Sequence, residues 1–321
     1  MKELSKIFQT RIRQFWYSNR LNLFAQLAMS CAAGIFFSFL RRNTVRSPND
    51  FGWAVSTAKA LISGIDPYGG ILRDTVPYPL PVAIFGLPFV WTDEITATDI
   101  FVGISISILV FGILINGKAW QLLILASAPL VFAVEVGQWS PLITASWFWP
   151  ELAGVLTLVK PQTALPILLA RFRWQSVVVG SFVLVISLFV MPLWPWKWWM
   201  LASGYKFYQM PVLAAFGMFL LLFLLYFSEA EARLLFFVSI LPYRSIYDLA
   251  SLALIPQNAW QMIIYVVLSW LYLFSIQLWG INITPFALHL LCLTFILITY
   301  PKKVWFFNLK KPHSAEKKDI P

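Results

Sequence analysis

Apolar residues in this chain come in long runs, without the strict two-residue alternation of a half-buried strand or a membrane β-barrel. An α-helix needs about 20 mostly apolar residues to cross a bilayer. Runs of that kind cover 23–40, 97–116, 120–135, 176–193, 212–228, 260–280 and 283–300. Shorter apolar pieces at 79–91, 141–149, 151–170, 234–242 and 246–256 lie between them. Pro150, Pro161, Pro166, Pro242 and Pro256 interrupt stretches that would otherwise span, because proline removes a backbone donor and ends or kinks a helix. The pattern predicts an all-α polytopic membrane protein with about nine to twelve transmembrane or broken helices. Broken backbone at membrane depth survives only when buried in protein or lining a wet cavity, so the bundle is expected to enclose a polar cavity. No internal repeat is evident, which weighs against a transporter built from inverted halves.

Composition agrees with the pattern. Of 321 residues, 60% are hydrophobic and 12% charged, and mean hydropathy is +0.74. A soluble domain carries about 25% charged residues. A chain with half that share cannot cover a water-facing surface. Soluble enzyme, secreted disulfide scaffold and nucleic-acid-binding domain are set aside. The net charge of +10 does not revive a nucleic-acid partner, because eleven of the 24 basic residues flank the apolar region. Five precede it (Lys2, Lys6, Arg11, Arg13, Arg20) and six follow (Lys302, Lys303, Lys310, Lys311, Lys317, Lys318). The positive-inside rule then places both termini in the cytoplasm, with membrane lipids as neighbours. The expected organisation is a basic cytoplasmic segment 1–22, a transmembrane domain 23–300 and a basic cytoplasmic tail 301–321. The first run ends in Arg41 and Arg42 with no small-residue cleavage site, so it reads as a retained helix. Arg171 and Arg173 mark a cytoplasmic loop, and 41–78 and 194–211 fall on the opposite side. The three acids of Thr92–Asp99 belong outside and Lys118 inside, which requires 79–91 to dip and not cross. Cys31 and Cys292 read as small core residues, and His289 as an interior packing residue.

The first extracytoplasmic loop, 41–78, holds the clearest local signals. Residues 50–63 put Phe51, Val55, Ala58 and Ile62 on one helical face, with Pro48 before and Gly64 after. This predicts a helix at the membrane interface. The turn Asp66-Pro67-Tyr68-Gly69-Gly70 follows, and then the extended Pro77-Tyr78-Pro79-Leu80-Pro81.

Charges at membrane depth cost about 2.5–3.5 kcal/mol each on insertion scales, so each needs a reason. Those in question are Asp50, Asp66, Arg73, Glu135, Lys160, Arg244 and Asp248. Asp50 suits a helix N-cap or a general base at the membrane surface. Asp66 before Pro67 suits a turn. Lys160, with Gln162 beside it, suits snorkelling or a cation aimed at a phosphate. Glu135 suits a plain loop carboxylate. Arg244 and Asp248 are four apart and could pair on one helical face. Trp194, Trp196, Trp198, Trp199, Tyr205 and Tyr208 suit an aromatic belt or a sugar-stacking surface.

The order of these elements carries more than any one of them. Asp50, Gly64-Ile65-Asp66-Pro67-Tyr68, the proline-rich 77–81, Gly137-Gln138, Lys160-Pro161-Gln162 and Pro242-Tyr243 through Tyr247-Asp248 occur in series. That series, over roughly residues 20–280, resembles glycosyltransferase family 87, membrane glycosyltransferases of the GT-C type that use polyprenyl-phosphate sugars. The resemblance implies a GT-C-like helical bundle and a catalytic aspartate in the first extracytoplasmic loop, here Asp50. It implies that Lys160 lies near the lipid phosphate. Gln162, Arg244, Asp66, Tyr68, Gln138, Tyr243 and Asp248 are the further residues expected to bind substrate. A lipid or glycan would accept the hexose, and no cofactor or metal is needed for a donor with a single phosphate. A polytopic transporter or lipid flippase, or a non-catalytic relative, would share the same polar cavity.

Overall fold

The computed structural model of the chain describes residues 2–44, 49–69, 78–204, 210–213, 217–279 and 286–300. Arg73, Pro77, Tyr205, Tyr208 and the basic tail 301–321 lie outside the described residues, as do the side chains before Asn22. The described residues are helical, with no strand among them. In chain order the helices are α1 (Lys2–Thr44), α2 (Asn49–Ile62), α3 (Ala83–Gly86), α4 (Glu94–Asn116), α5 (Ala128–Glu135), α6 (Ser140–Ala145), α7 (Pro150–Val159) and α8 (Pro161–Ala170). Then come α9 (Trp174–Val190), α10 (Trp194–Ala202), α11 (Ala230–Ile240), α12 (Ala259–Trp279) and α13 (Phe286–Thr299). Short 3₁₀ turns flank α3, and longer 3₁₀ segments cover Ala119–Ala126, Gly217–Tyr226 and Ile246–Leu254.

Among the described residues two helices, Asn22–Thr44 of α1 and α4, pass as long and apolar enough to cross a membrane, and α9 with α10 makes a third if that pair, bent by 97°, is one span. Two of the other predicted spans are interrupted. The run 120–135 changes from 3₁₀ to α at Ser127, and 212–228 is largely 3₁₀. α12 is a continuous apolar helix of 21 residues and α13 one of 14. Hydropathy alone does not register these breaks, because an apolar 3₁₀ segment scores like an apolar α-helix.

α1 and α4 pack antiparallel. Gln26 at one end donates to the Leu114 carbonyl, Gly34 faces Gly103 at the middle, and Arg41 meets Asp99 at the other end. Ser30, Gly34 and Ser38 recur every fourth residue on α1, the small-residue spacing that lets helix backbones approach closely. Cys31 lies on the exposed side of α1, contrary to the expectation of a core position, while Cys292 is buried. α4 begins beside the end of α1, and Ser56 and Lys59 of α2 donate to Glu94 and to the Thr92 carbonyl at that same end. Within residues 80–89, α3 packs on α2.

α2 is more enclosed than a surface helix. Phe51, Val55 and Ala58 are buried as predicted, and so is Ala54, while Ile62 is exposed. Gly64 ends the helix with φ +68°, and Ile65 N–H reaches the Ala60 carbonyl at 2.8 Å, a glycine-terminated helix end. Asp93 starts α4 by accepting the Thr96 N–H at 2.9 Å.

α7 and α8 form a hairpin. Each has ten residues, about 15 Å at the helical rise, or half the ~30 Å hydrocarbon core. Pro161 interrupts the path, and Lys160 occupies the tip with φ −138° and ψ 77°. The hairpin closes because Arg171, just after α8, donates to the Trp147 carbonyl, just before α7, at 2.6 Å. α11 and the 3₁₀ segment Ile246–Leu254 form a second return. Arg233 of α11 donates to the Ala170 carbonyl at the foot of α8. The tip at 241–245 carries Tyr243 and Arg244, and Leu254 and Pro256 come back to face Ala230 and Glu231 across one cavity.

Candidate active site

Chain turns from separate parts of the sequence meet at one level of the bundle. The first is the end of α5. There Gln138 N–H bonds the Ala133 carbonyl at 2.8 Å and Gly137 N–H bonds that of Val134 at 3.1 Å, the double bond of a Schellman cap. Gly137 has φ +61°, and a Cβ there would lie 2.4 Å from Thr98 Cγ2 and 3.5 Å from the Arg41 guanidinium. Only glycine fits both the backbone and the space. This turn aims the Gln138 side chain at the tip of the α7–α8 hairpin.

At that tip the Lys160 ammonium donates to Gln138 Oε1 at 2.9 Å and to Asp248 Oδ1 at 2.6 Å. It also lies 4.9 Å from the centre of the Tyr247 ring. Lys160 is 4% exposed, so it does not snorkel. Asp248, from the first turn of Ile246–Leu254, uses its second oxygen to accept the Arg244 backbone N–H at 2.9 Å. The expected pairing of Arg244 with Asp248 is thus replaced by an ion pair of Asp248 with Lys160. The reason is local geometry. The stretch 244–248 turns from extended chain at Ser245 into a 3₁₀ helix, so the four-residue spacing does not put the two side chains on one α-helical face. The Arg244 side chain is exposed at the tip.

Asp50 joins this group from α2. The helix begins at Asn49, which puts Asp50 in its first turn and not at the cap. Burial pushes its carboxyl above the ordinary range, while the positive charges of Lys160 and Arg244 pull against that rise, as does a hydrogen bond with the Tyr78 hydroxyl. Asp248 lies close enough to oppose ionisation further. One carboxyl group and two cations, drawn from α2, the α7–α8 tip and the 241–248 turn, therefore lie within electrostatic reach of one another, Lys160 buried, Asp50 half-buried and Arg244 exposed.

An aromatic wall backs Asp50. Trp139 is fully buried, with the rings of Phe101, Phe85, Phe51 and Tyr78 at 4.8, 5.2, 5.5 and 6.2 Å.

The structure thus brings together Asp50, Gln138, Lys160, Arg244 and Asp248. Tyr243 is buried at the same turn, its ring 6.5 Å from that of His289. His289 is buried, as its interior reading expects. Asp66 and Tyr68 stand apart. Asp66 accepts the Tyr68 N–H at 2.9 Å and pairs with Lys197 of α10. Tyr68 only borders the group, donating its hydroxyl to the Tyr78 carbonyl at 3.1 Å. Gln162 is half-buried in the first turn of α8, and Glu135 is exposed at the end of α5. Trp194 is buried against Ser187, while Trp196 and Trp199 are exposed.

Two features escape a reading of single residues. Tyr78, held extended by its proline neighbours, supplies the hydroxyl that faces Asp50. Arg41 and Asp99 form a fully buried ion pair beside Gly137. Each looks ordinary alone, Arg41 as a flanking base and Asp99 as a loop acid. Their shared burial follows only from the antiparallel contact of α1 and α4. Set against protein-family models, curated proteins and solved structures, the chain matches none.

Proposed function

We propose that this chain is a membrane glycosyltransferase of GT-C-like architecture. It moves a mannose-like hexose from a polyprenyl-phosphate donor to a lipid or glycan acceptor, with inversion at the anomeric carbon. The observation that carries the reading is the convergence of Asp50, Arg244 and the buried Lys160–Asp248 pair at one end of the bundle. In this reading the bundle comprises about nine to twelve transmembrane or broken helices. The end holding Asp50 faces away from the cytoplasm, and 41–78 is its first outer loop. Lys118, Arg171 and Arg233 line the cavities at the other end, as the positive-inside rule expects of a cytoplasmic face.

In the reaction the Asp50 carboxylate takes the acceptor hydroxyl proton as the oxygen attacks the anomeric carbon. The bond from that carbon to the phosphate oxygen breaks, and its electron pair leaves with the polyprenyl phosphate. The products are the new glycoside, protonated Asp50 and the lipid phosphate. The raised carboxyl of Asp50 suits a base that must hold a proton after transfer. The exposed Arg244 guanidinium meets the phosphate as its charge grows. Lys160 spends two of its three N–H bonds on Gln138 and Asp248, so it acts as a rigidly held second cation.

The test is incubation of purified full-length protein with labelled polyprenyl-phosphate hexose and membrane extract, followed by separation of glycolipids. Asp50→Asn should lower transfer by about 10²–10⁴-fold, the usual contribution of a general base, with donor binding retained. Turnover by Asp50→Asn close to that of the parent would reject this function.

A further inference from the structure

The opposite end of the bundle holds a separate polar cavity of about 380 Å³. The feet of both hairpins, the end of α4 and the chain after Ile246–Leu254 surround it. Its charged lining is Arg171, Glu231 and Lys118, with Asn116 and Gln257 beside them and Trp147 in its wall.

Arg171 is fixed in place. It donates to the Trp147 carbonyl at 2.6 Å and its guanidinium lies 4.9 Å from the Trp147 ring centre. Glu231 faces the same cavity from the first turn of α11 and accepts a hydrogen bond from the Tyr300 hydroxyl at 3.4 Å. The two charges sense one another, yet they are not among the ion pairs within 4 Å in the described residues. A cation and an anion held on one cavity without closing on each other suit a ligand that carries both charges.

Next to it, and sharing Arg171 and Ala230, runs a cleft of about 420 Å³ in which Leu169, Phe172 and Phe227 alternate with Arg173 and Arg233. Phe172 is 57% and Phe227 38% exposed. A ligand with apolar tails could seat its head in the cavity and its tails along these rings.

We infer that this cavity binds a zwitterionic phosphate ester of the phosphoethanolamine type, with its phosphate on Arg171 and Lys118 and its ammonium on Glu231. The source is an aminophospholipid headgroup or the free ester. The site is separate from the Asp50 group, and its occupancy does not depend on glycosyl transfer.

Native mass spectrometry of the full-length protein, released from nanodiscs with equal phosphatidylethanolamine, phosphatidylglycerol and phosphatidylcholine, tests it. The expected result is preferential retention of phosphatidylethanolamine. Glu231→Gln removes the ammonium's partner but keeps both cations, so the preference should move to phosphatidylglycerol. Arg171→Gln should weaken retention of both phosphatidylethanolamine and phosphatidylglycerol by about tenfold or more, the scale of a lost charge-assisted hydrogen bond. If Arg171→Gln fails to fold, the switch in Glu231→Gln still decides. Displacement by soluble O-phosphoethanolamine supports the free ester as ligand, and retention in its presence supports the lipid. Equal retention of phosphatidylglycerol by the parent protein, or an unchanged preference in Glu231→Gln, overturns the inference.

Discussion

Lys160–Asp248 and Arg41–Asp99 both bury opposite charges, but they are completed differently. Around Lys160 and Asp248 the polar atoms have further partners, Gln138 on one side and the Arg244 backbone N–H on the other. Asp99 has one oxygen on Arg41 and a second, Oδ2, with no hydrogen-bond partner among the described residues. The first pair sits where turns converge and faces Asp50. The second sits in the contact of two long helices, against Gly137. Burying a pair of charges stabilises little in itself, while removing one partner leaves a charge stranded. The difference therefore separates two roles. Arg41–Asp99 fixes helix register and props the Gly137 turn, and under the proposed function Lys160–Asp248 holds a cation beside the reacting groups.

Removing one member of the structural pair should have the larger effect on folding. Arg41→Ala or Asp99→Leu should lower stability by about 3–5 kcal/mol, the cost of an uncompensated buried charge, read as a fall in Tm in detergent. The double change Arg41→Met with Asp99→Leu should recover most of that loss and retain transfer. If the double variant folds but is inactive, the pair has a part in the chemistry and the distinction fails.

The matching double change at the other pair, Lys160→Met with Asp248→Leu, should fold but lose affinity for polyprenyl phosphate. The loss should be roughly 10–100-fold, from one or two charge-assisted bonds, measured by titration of the lipid into purified protein. Unaltered affinity would assign this pair the same propping role as Arg41–Asp99.

The two pairs also differ in how far the sequence announces them. Lys160 before Pro161 and Asp248 in the apolar stretch 246–256 stand where a charge has no cheap explanation, so both were legible as candidate site residues. Their pairing was not, because the i, i+4 spacing points Asp248 to Arg244 and only the 3₁₀ geometry redirects it. α2 was legible from its apolar face and its Gly64 terminator. Its enclosure, which lifts the Asp50 carboxyl, depends on α3 and α4 folding over it. The α7–α8 hairpin was half visible in Pro161, which says that a helix breaks but not that the chain turns back. The helical character was legible throughout. The number of unbroken spans was not, because Ser127 and the 3₁₀ stretches interrupt runs that look continuous by hydropathy.

The smallest expected effect separates two carboxylates near the same end of the bundle, Asp50 and Asp66. Burial raises Asp50 above its unfolded value despite Lys160 and Arg244. Between the two values the folded chain holds a proton that the unfolded chain has released. The stability Asp50 contributes is therefore complete below the ordinary carboxylate pKa and fades as pH rises through the raised value. At Asp66 slight burial is outweighed by hydrogen bonds from Lys197 and the Tyr68 N–H, and the carboxyl is held below its ordinary value. Its contribution is present above the ordinary carboxylate pKa and is lost as pH falls through the lowered one. Asp66→Asn should lower Tm slightly at neutral pH and not at all in acid, with at most about 1 kcal/mol involved because the pair is partly exposed. Asp50→Asn should do the opposite, raising Tm at neutral pH more than in acid. Such a gain alongside lost transfer is the signature of a charge kept in an unfavourable place for its chemistry. Thermal unfolding of both variants across pH 3–8 would show it, and a fall of Tm in Asp50→Asn at neutral pH would identify Asp50 as a structural carboxylate instead.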